Sequence, residues 1–497
     1  MDLLYFLIYF TIGSCTIIYM FLRKIYSYWE KRGVLHVKPS FFLGNCQEFG
    51  KTKSIGQILR EYYNKYKGLA KYIGFYLFLR RSLLVIDFDL IKNVLIKDFE
   101  YFTSRGMYYN ERNDPLSANV VYLQGEKWRK SRNELNPCFT SGKLKHMFPL
   151  AVDVSNQLIK VIKQQQLSTP NEDFEIHSLI NRYIIDVAGS IGFGLNCNSL
   201  KNPNAEFKIM VHESFKPPHN IITFSFMSIF PDLSRKLGIT YYSNNVQKFF
   251  LRISNEMVKF REQTEVQRND MMNLLIELKN SDKIERLSMN QIATHAFTLL
   301  TGGVETNTSA MSFCLYELAL NQDVQDKARA EINKVLTRYE EELTYEGMNE
   351  MKYLQQVFNE NLRLHSVFSL TTRVCTKDYA IPNTNHVIEK DTLVIVPIDA
   401  IYHDPEIYPN PEQFDPERFS ADEVKKRHPM ANLGFGEGPR ICVGKRFGTM
   451  QIMIGLVMLL RNYRIMPTSK TCVPMQYKLN KLVTEAKDGI YLKLVKI

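Results

Sequence analysis

The eight cysteines of this chain, Cys15, Cys46, Cys138, Cys197, Cys314, Cys375, Cys442 and Cys472, include no C-x-x-C pair. Zinc, iron–sulfur and covalently attached haem sites usually need partners at such short spacing. Spread over 497 residues, the cysteines do not form a secreted disulfide framework either. The bulk of the chain is expected in a reducing compartment. There is no long basic tract: Lys and Arg come in twos and threes, although the formal net charge is +11. That balance favours an anionic membrane surface or an acidic protein as partner, and no nucleic acid is expected. No internal repeat, low-complexity tract or second linker divides the chain. With 45 % hydrophobic and 12 % aromatic residues, it can bury a large core.

No charge interrupts "LLYFLIYFTIGSCTIIYMFL", Leu3 to Leu22. Twenty helical residues span ~30 Å, the thickness of a bilayer's hydrocarbon core. A cleaved signal peptide would carry basic residues before a shorter apolar run and small residues after it. Here only Asp2 and the amino terminus precede the run, and Arg23, Lys24, Lys31 and Arg32 follow it. By the positive-inside rule the remainder is cytosolic. The expected organisation is a transmembrane anchor over 1–22, a linker over 23–45 and one domain over 46–497. Residues 33 to 45, "GVLHVKPSFFLGN", show neither helical nor strand periodicity.

Within the domain, "LLVIDFDLIKNVLI" reads as a strand turning into an amphipathic helix. Helical signals dominate from about 145 to 330. Residues 367 to 398 hold β-rich runs broken by turns. Residues 444 to 461 form a helix apolar nearly all round, hence buried. The last 30 residues read as short strands. The fold class expected is mostly α with small β-sheets (α+β).

Just before the apolar helix stands "FGEGPRICVG", residues 435 to 444. Three glycines keep bulk away from Cys442, and the helix start beside it supplies amides that favour a thiolate. A thiolate is a nucleophile or a metal ligand. A nucleophile needs a positioned base, and the sequence identifies none. A lone thiolate on a glycine loop suits a metal whose other ligands are not protein, such as haem iron.

The pattern F-x-x-G-x-R-x-C-x-G, here Phe435, Gly438, Arg440, Cys442 and Gly444, resembles the haem-binding signature of the cytochrome P-450 monooxygenases. The resemblance implies haem b with Cys442 as the axial iron ligand. Other family motifs follow the expected order. In "ENLR", Glu360 and Arg363 lie at i, i+3 and can pair. "FDPERF", residues 414 to 419, supplies Arg418, which in the family joins that pair. "LLTGGVETNTSAMSFCLYELA", residues 299 to 319, puts Glu305 and Thr306 after two helical glycines that cost ~1 kcal/mol each relative to alanine. The family places an acid and a threonine here, where oxygen binds, to manage protons. A back-bonded threonine on a polar helix face is the plainer alternative. "GEKWRKSR" resembles the family's W-x-x-x-R, so Trp128 and Arg132, with Arg373 and Arg440, are implied to bind the haem propionates.

The resemblance covers nearly the whole chain. "MSFCLYELA", "CTKDYAIPNT" and "PDLSRKLGI" look closest to microsomal insect enzymes that metabolise foreign lipophilic compounds. It implies monooxygenation of a lipophilic small molecule at the endoplasmic reticulum membrane. Electrons would come from NADPH through a flavoprotein, NADPH-cytochrome P-450 reductase, with cytochrome b5 as a further donor. Lys127, Lys130, Lys143, Lys425, Lys445 and Arg446 are candidate cations for docking the reductase. A second membrane contact is expected at "IITFSFMSIF", residues 221 to 230, which Pro217, Pro218 and Pro231 bracket. Three departures stand out. Pro39 is the one proline of the linker, Gly302 replaces the usual alanine, and His365, Ser366 and Val367 replace Tyr-Pro-Pro. An isomerase or dehydratase, or a non-catalytic haem or lipid binder, are the rival readings. NADPH consumption with a reductase separates them.

Overall fold

The computed structural model describes residues 2–169, 172–216, 219, 221–281 and 286–497. Helix α1 (Asp2–Tyr26) exposes nearly every side chain from Leu3 to Phe21 and is long and apolar enough to cross a membrane. The stretch after it is not a free tether. Trp29 is buried and donates its indole N–H to the Phe75 carbonyl at 3.3 Å, and the Val37 amide donates to Gly74 at 3.2 Å. The expected linker thus lies along strand β1 (Tyr72–Leu77). Its lack of periodicity follows from pairing through isolated bridges, His36 with Gly74 and Gly44 with Leu77.

Strand β2 (Arg80–Val85) pairs antiparallel with β1. Helix α2 (Gly125–Leu135) carries the W-x-x-x-R motif. Strand β3 (Phe174–Glu175) leads into the buried helix α3 (Ile176–Ala188). Helix α4 (Ile221–Ile229) is the expected membrane-contact segment. Pro217, Pro218 and Asn220, and the side chains of Ile221, Ile222, Phe224 and Ser225, lie outside the described residues. Helix α5 (Met289–Leu320) is the spine of the molecule, ~48 Å long at 1.5 Å per residue. Ser288 and Gln291 start it with a reciprocal capping box.

Helix α6 (Lys352–Leu364) ends at the Glu360–Arg363 motif. Strands β4 (Thr371–Val374) and β5 (Leu393–Val396) complete a four-stranded sheet in the order β1-β2-β5-β4, with β2 and β5 parallel. Helix α7 (Lys445–Asn462) starts three residues after Cys442. Ile454, Leu456, Val457, Leu459 and Leu460 are fully buried along it, each contributing ~1.5–3 kcal/mol at most by area. Strands β6 (Tyr463–Pro467) and β7 (Tyr491–Lys496) form a second sheet with β3. The chain end holds one strand, not several. Residues 468–490 make an irregular excursion pinned by bridges Phe368–Val483 and Tyr477–Ala486.

Two cores result. One surrounds α5 and α7, and the other lies on the β1-β2-β5-β4 sheet. The cysteine loop runs between them: Leu433 is buried in the sheet core, while Phe435 and Phe447 pack on the helical one.

Candidate active site

The loop over Cys442 is shaped by Gly438. Its φ is +76°, and a Cβ there would lie 1.9 Å from the Leu95 carbonyl oxygen, so no other residue fits. The Cys442 amide donates to the Phe435 carbonyl at 2.9 Å, closing the turn. Phe435, half-buried, packs against Phe358 with the Lys445 ammonium 5.6 Å above its ring. Cys442 keeps accessible surface although protein surrounds it closely, as a thiol facing a concavity does. Burial pushes the thiol's pKa up. The Gly444 amide, Arg105, Arg132 and Lys445 pull it down without fully offsetting burial. Helix-start amides alone therefore do not make the thiolate; a bound metal cation would.

Four guanidiniums converge beside this loop. Arg440 is buried over the Trp128 indole, 4.2 Å from its centroid. It donates to the carbonyls of Thr103, Val120 and Leu123 at 3.0, 3.2 and 2.7 Å. Arg132, one turn beyond Trp128 on α2, donates to the Ile441 carbonyl at 2.7 Å. Arg105 donates to the Arg440 carbonyl at 3.1 Å. Arg373 is buried on β4, bonds Thr371 and Thr372, and leaves its Nε without a partner. Burial, then the neighbouring guanidiniums, push Arg373 down to about 9 and Arg440 down to about 8. Among the described residues, the Cys442 sulfur is the one group that raises the pKa of Arg105 and of Arg132 against burial.

A cationic cluster with an orphaned buried donor calls for an anionic group beside the thiol. A haem, with two carboxylates and an iron, fits that donor set. Arg440 spends three of its five N–H groups on the chain itself and serves chiefly as a staple between Trp128 and the cysteine loop. Arg105 belongs to this cluster although the sequence did not single it out; between Ser104 and Gly106 it gives no local sign of a partner 335 residues away.

On α5, a Cβ built on Gly302 would meet nothing within 4 Å, so the helix presents bare backbone to open space there. Thr306 donates its hydroxyl to the Gly302 carbonyl at 2.8 Å, the back-bonded arrangement. Glu305 is half-buried; burial raises its pKa, Lys481 lowers it and Glu485 raises it. The next residue, Asn307, donates to Gln451 at 3.1 Å and lies against Gly448, so this part of α5 crosses α7 just after the cysteine loop.

Arg363 donates two hydrogen bonds to the Glu360 carboxylate, at 2.7 and 2.8 Å, and the pair is fully buried, not exposed. Arg418 Nε stands 3.4 Å from the same carboxylate, and the Asp415 amide donates to it at 2.9 Å. The brace before the cysteine loop is thus three-membered. His365 is buried between Glu317, at 2.7 Å, and the Tyr477 hydroxyl, at 2.8 Å, with its ring stacked on Phe313. It clasps the C-terminal excursion to α5. Of the candidate docking cations, Lys127 pairs with Glu111, Lys143 lies 3.7 Å from Glu277, Lys425 lies 3.4 Å from Asp422, and Arg446 reaches Ser141. Lys130 is exposed on α2.

The cytochrome P450 family model matches residues 36–493. The chain is 40 % identical to cytochrome P450 6A1 of Musca domestica over 503 residues, covering 99 % of this chain and 98 % of that protein. It is 41 % identical to cytochrome P450 6a8 of Drosophila melanogaster over 505 residues, covering 99 % of both. It is 40 % identical to probable cytochrome P450 6a13 of Drosophila melanogaster over 486 residues, 98 % of this chain and 97 % of that one. With the Cys442 thiol, the guanidinium cluster and the mostly helical fold, these likenesses make the chain a member of the cytochrome P450 family, the haem-thiolate monooxygenases.

Proposed function

We propose that this chain inserts one atom of O2 into lipophilic small molecules, foreign or endogenous, on the cytosolic face of the endoplasmic reticulum membrane. Its electrons come from NADPH through a flavoprotein reductase, with cytochrome b5 as a further donor. The observation that carries the reading is the Cys442 thiol beside four guanidiniums, two of which, Arg105 and Arg132, feel its sulfur directly, while burial and mutual repulsion press on Arg373 and Arg440.

Haem b bound here supplies reductive activation of dioxygen, which no side chain can. The chain's own residues do the rest. Cys442 Sγ would hold the iron as a thiolate. Arg105, Arg132 and Arg373 take the two carboxylates in charge-assisted bonds. The Thr306 hydroxyl leaves the Gly302 carbonyl to hold a proton at the oxygen side. Glu305, kept towards its protonated form by burial, resupplies it. Lys445 and the exposed face of α2 offer cations to an acidic reductase surface.

The test is reconstitution: the full chain, haem, reductase and NADPH in liposomes, with a panel of lipophilic compounds and product analysis. NADPH-dependent, oxygenated product from at least one compound supports the reading. Turnover without NADPH or O2 would move the protein to the isomerase class.

A further inference from the structure

The carboxylate of Glu134 on α2 lies 2.8 Å from Nε2 of His295 on α5, and both residues are almost fully buried. Nothing in the chemistry above uses them. The pair is also incompletely satisfied: Glu134 Oε1 and His295 Nδ1 have no partner, and neither has the hydroxyl of Ser131, one turn back on α2. Burying such groups gains little stability over an apolar contact, whereas a buried polar pair can fix the register of two helices. The neighbouring Thr294 adds a second tie, donating to the Pro115 carbonyl at 3.1 Å.

The positions on the two helices matter. Gly302 follows His295 by seven residues and Thr306 by eleven. At 100° per residue, both lie within ~20° of the direction of His295. The pair therefore grips the face of α5 that carries the open backbone and the threonine. On α2, Arg132 stands two residues before Glu134 and donates to Ile441, next to Cys442. One short helix thus holds the cysteine loop with one side chain and the oxygen-side helix with another.

We propose that Glu134 and His295 are positioning residues for the oxygenation reaction. Their pair sets the rotation and axial register of α5 against α2, and so the placement of Gly302–Thr306 over the cysteine loop. The consequence for catalysis rests on the proton-handling reading of Thr306; the consequence for geometry does not.

The experiment compares wild type, His295→Ala, Glu134→Gln and the swapped pair Glu134→His with His295→Glu, all as full-length, haem-loaded protein. In His295→Ala, amide hydrogen exchange over residues 299 to 306 is expected to quicken about tenfold, the loss of one buried hydrogen bond. The carbon monoxide stretch of the reduced CO complex shifts, and the share of NADPH lost to peroxide rises severalfold. The swapped pair restores all three. Unchanged exchange over 299 to 306, an equal quickening in α7, or no restoration by the swap would overturn the proposal. If His295→Ala does not hold haem, Glu134→Gln, which keeps shape and one hydrogen bond, is read by the same measures. Wild-type values there overturn it equally. If Thr306→Ala leaves peroxide unchanged while His295→Ala alters exchange and the stretch, the relay reading falls and the positioning stands.

Discussion

Arg105 gives a guanidinium N–H to the main-chain carbonyl of Arg440 at 3.1 Å, which sets its charge two residues along the chain from Cys442. It is one of the few groups that lower the thiol's pKa. Burial lowers its own pKa, and no carboxylate of the described residues is among the charges acting on it. Arg105→Ala should weaken haem retention. A hydrogen bond to a charged group is worth ~1.5–3 kcal/mol, so haem should pass to an excess of apo-globin about tenfold faster or more. Arg105→Lys should fall between, because an ammonium lacks the planar fork. Equal transfer rates in Arg105→Ala and wild type would leave Arg105 a purely structural link.

Cys442→Ser should abolish the reduced CO spectrum of a thiolate-ligated haem. No other cysteine sits in a comparable glycine loop before a helix. Cys46 and Cys375 are pushed up to about 11 and Cys138 to about 12 by burial, and Cys197 and Cys314 are raised by burial as well. Cys15 sits in the anchor helix, and Cys472 lies in the C-terminal excursion. Persistence of the spectrum in the serine variant would assign the ligand elsewhere.

Thr306→Ala should keep haem and substrate binding but divert NADPH into peroxide. Among the described residues the hydroxyl bonds only its own helix, so on the proton-relay reading its loss removes a proton carrier without breaking a tie to another element. Thr306→Ser should retain coupling, since it keeps the hydroxyl and loses only a methyl. The measurement is product and peroxide per NADPH oxidised.

What could be read from the sequence was what lies close along it. The cysteine loop is ten contiguous residues, and its glycines and its helix are neighbours in the chain. Glu360 and Arg363 are one helical turn apart, so their pairing was legible, though their complete burial was not. Residues joined only by the fold gave no signal. Arg105 meets Arg440, Glu134 meets His295, and His365 meets Tyr477 across 335, 161 and 112 positions. The stretch over 33–45 read as a linker because its order comes from β1 and not from its own periodicity. The replacement of Tyr-Pro-Pro by His365, Ser366 and Val367 raised a question about the pocket wall. The Glu317–His365–Tyr477 clasp gives one physical role for the histidine.

Glu360→Ala should prevent stable haem incorporation. It leaves Arg363 wholly buried with two N–H groups unpaired and takes the acceptor from the Asp415 amide. Breaking one side of a buried ion pair costs ~3–5 kcal/mol, a large share of a marginal stability. Thermal unfolding and haem content of the expressed protein would measure this. A variant with wild-type melting and haem content would show that the brace is dispensable.

Deleting residues 1 to 22 should weaken membrane attachment without abolishing it. The expected second contact was the run from 221 to 230, and the structure refines where it can lie. Met227 is buried, so one face of α4 belongs to the protein core. Phe226 is half-buried and packs on Phe230. Among the described side chains, Ile229, Phe230, Leu233 and Leu237 are exposed and apolar, continuing past Pro231 along the short helix Pro231–Lys236 and its C-cap. Four large apolar side chains this close together exceed the scattered exposure of an ordinary soluble surface. Each contributes ~1.5–3 kcal/mol at most if buried in lipid. Arg235 and Lys236 stand among them, suited to anionic headgroups. A few kcal/mol in total would hold the truncated protein weakly and reversibly. It would also set an apolar surface where a lipophilic substrate can pass from the bilayer. Phe230→Asp with Leu233→Asp in the truncated protein should lower binding to anionic liposomes and leave haem content unchanged, because both side chains are already exposed. Loss of haem would make the segment part of the core. Undiminished liposome binding would place the residual membrane contact on another surface.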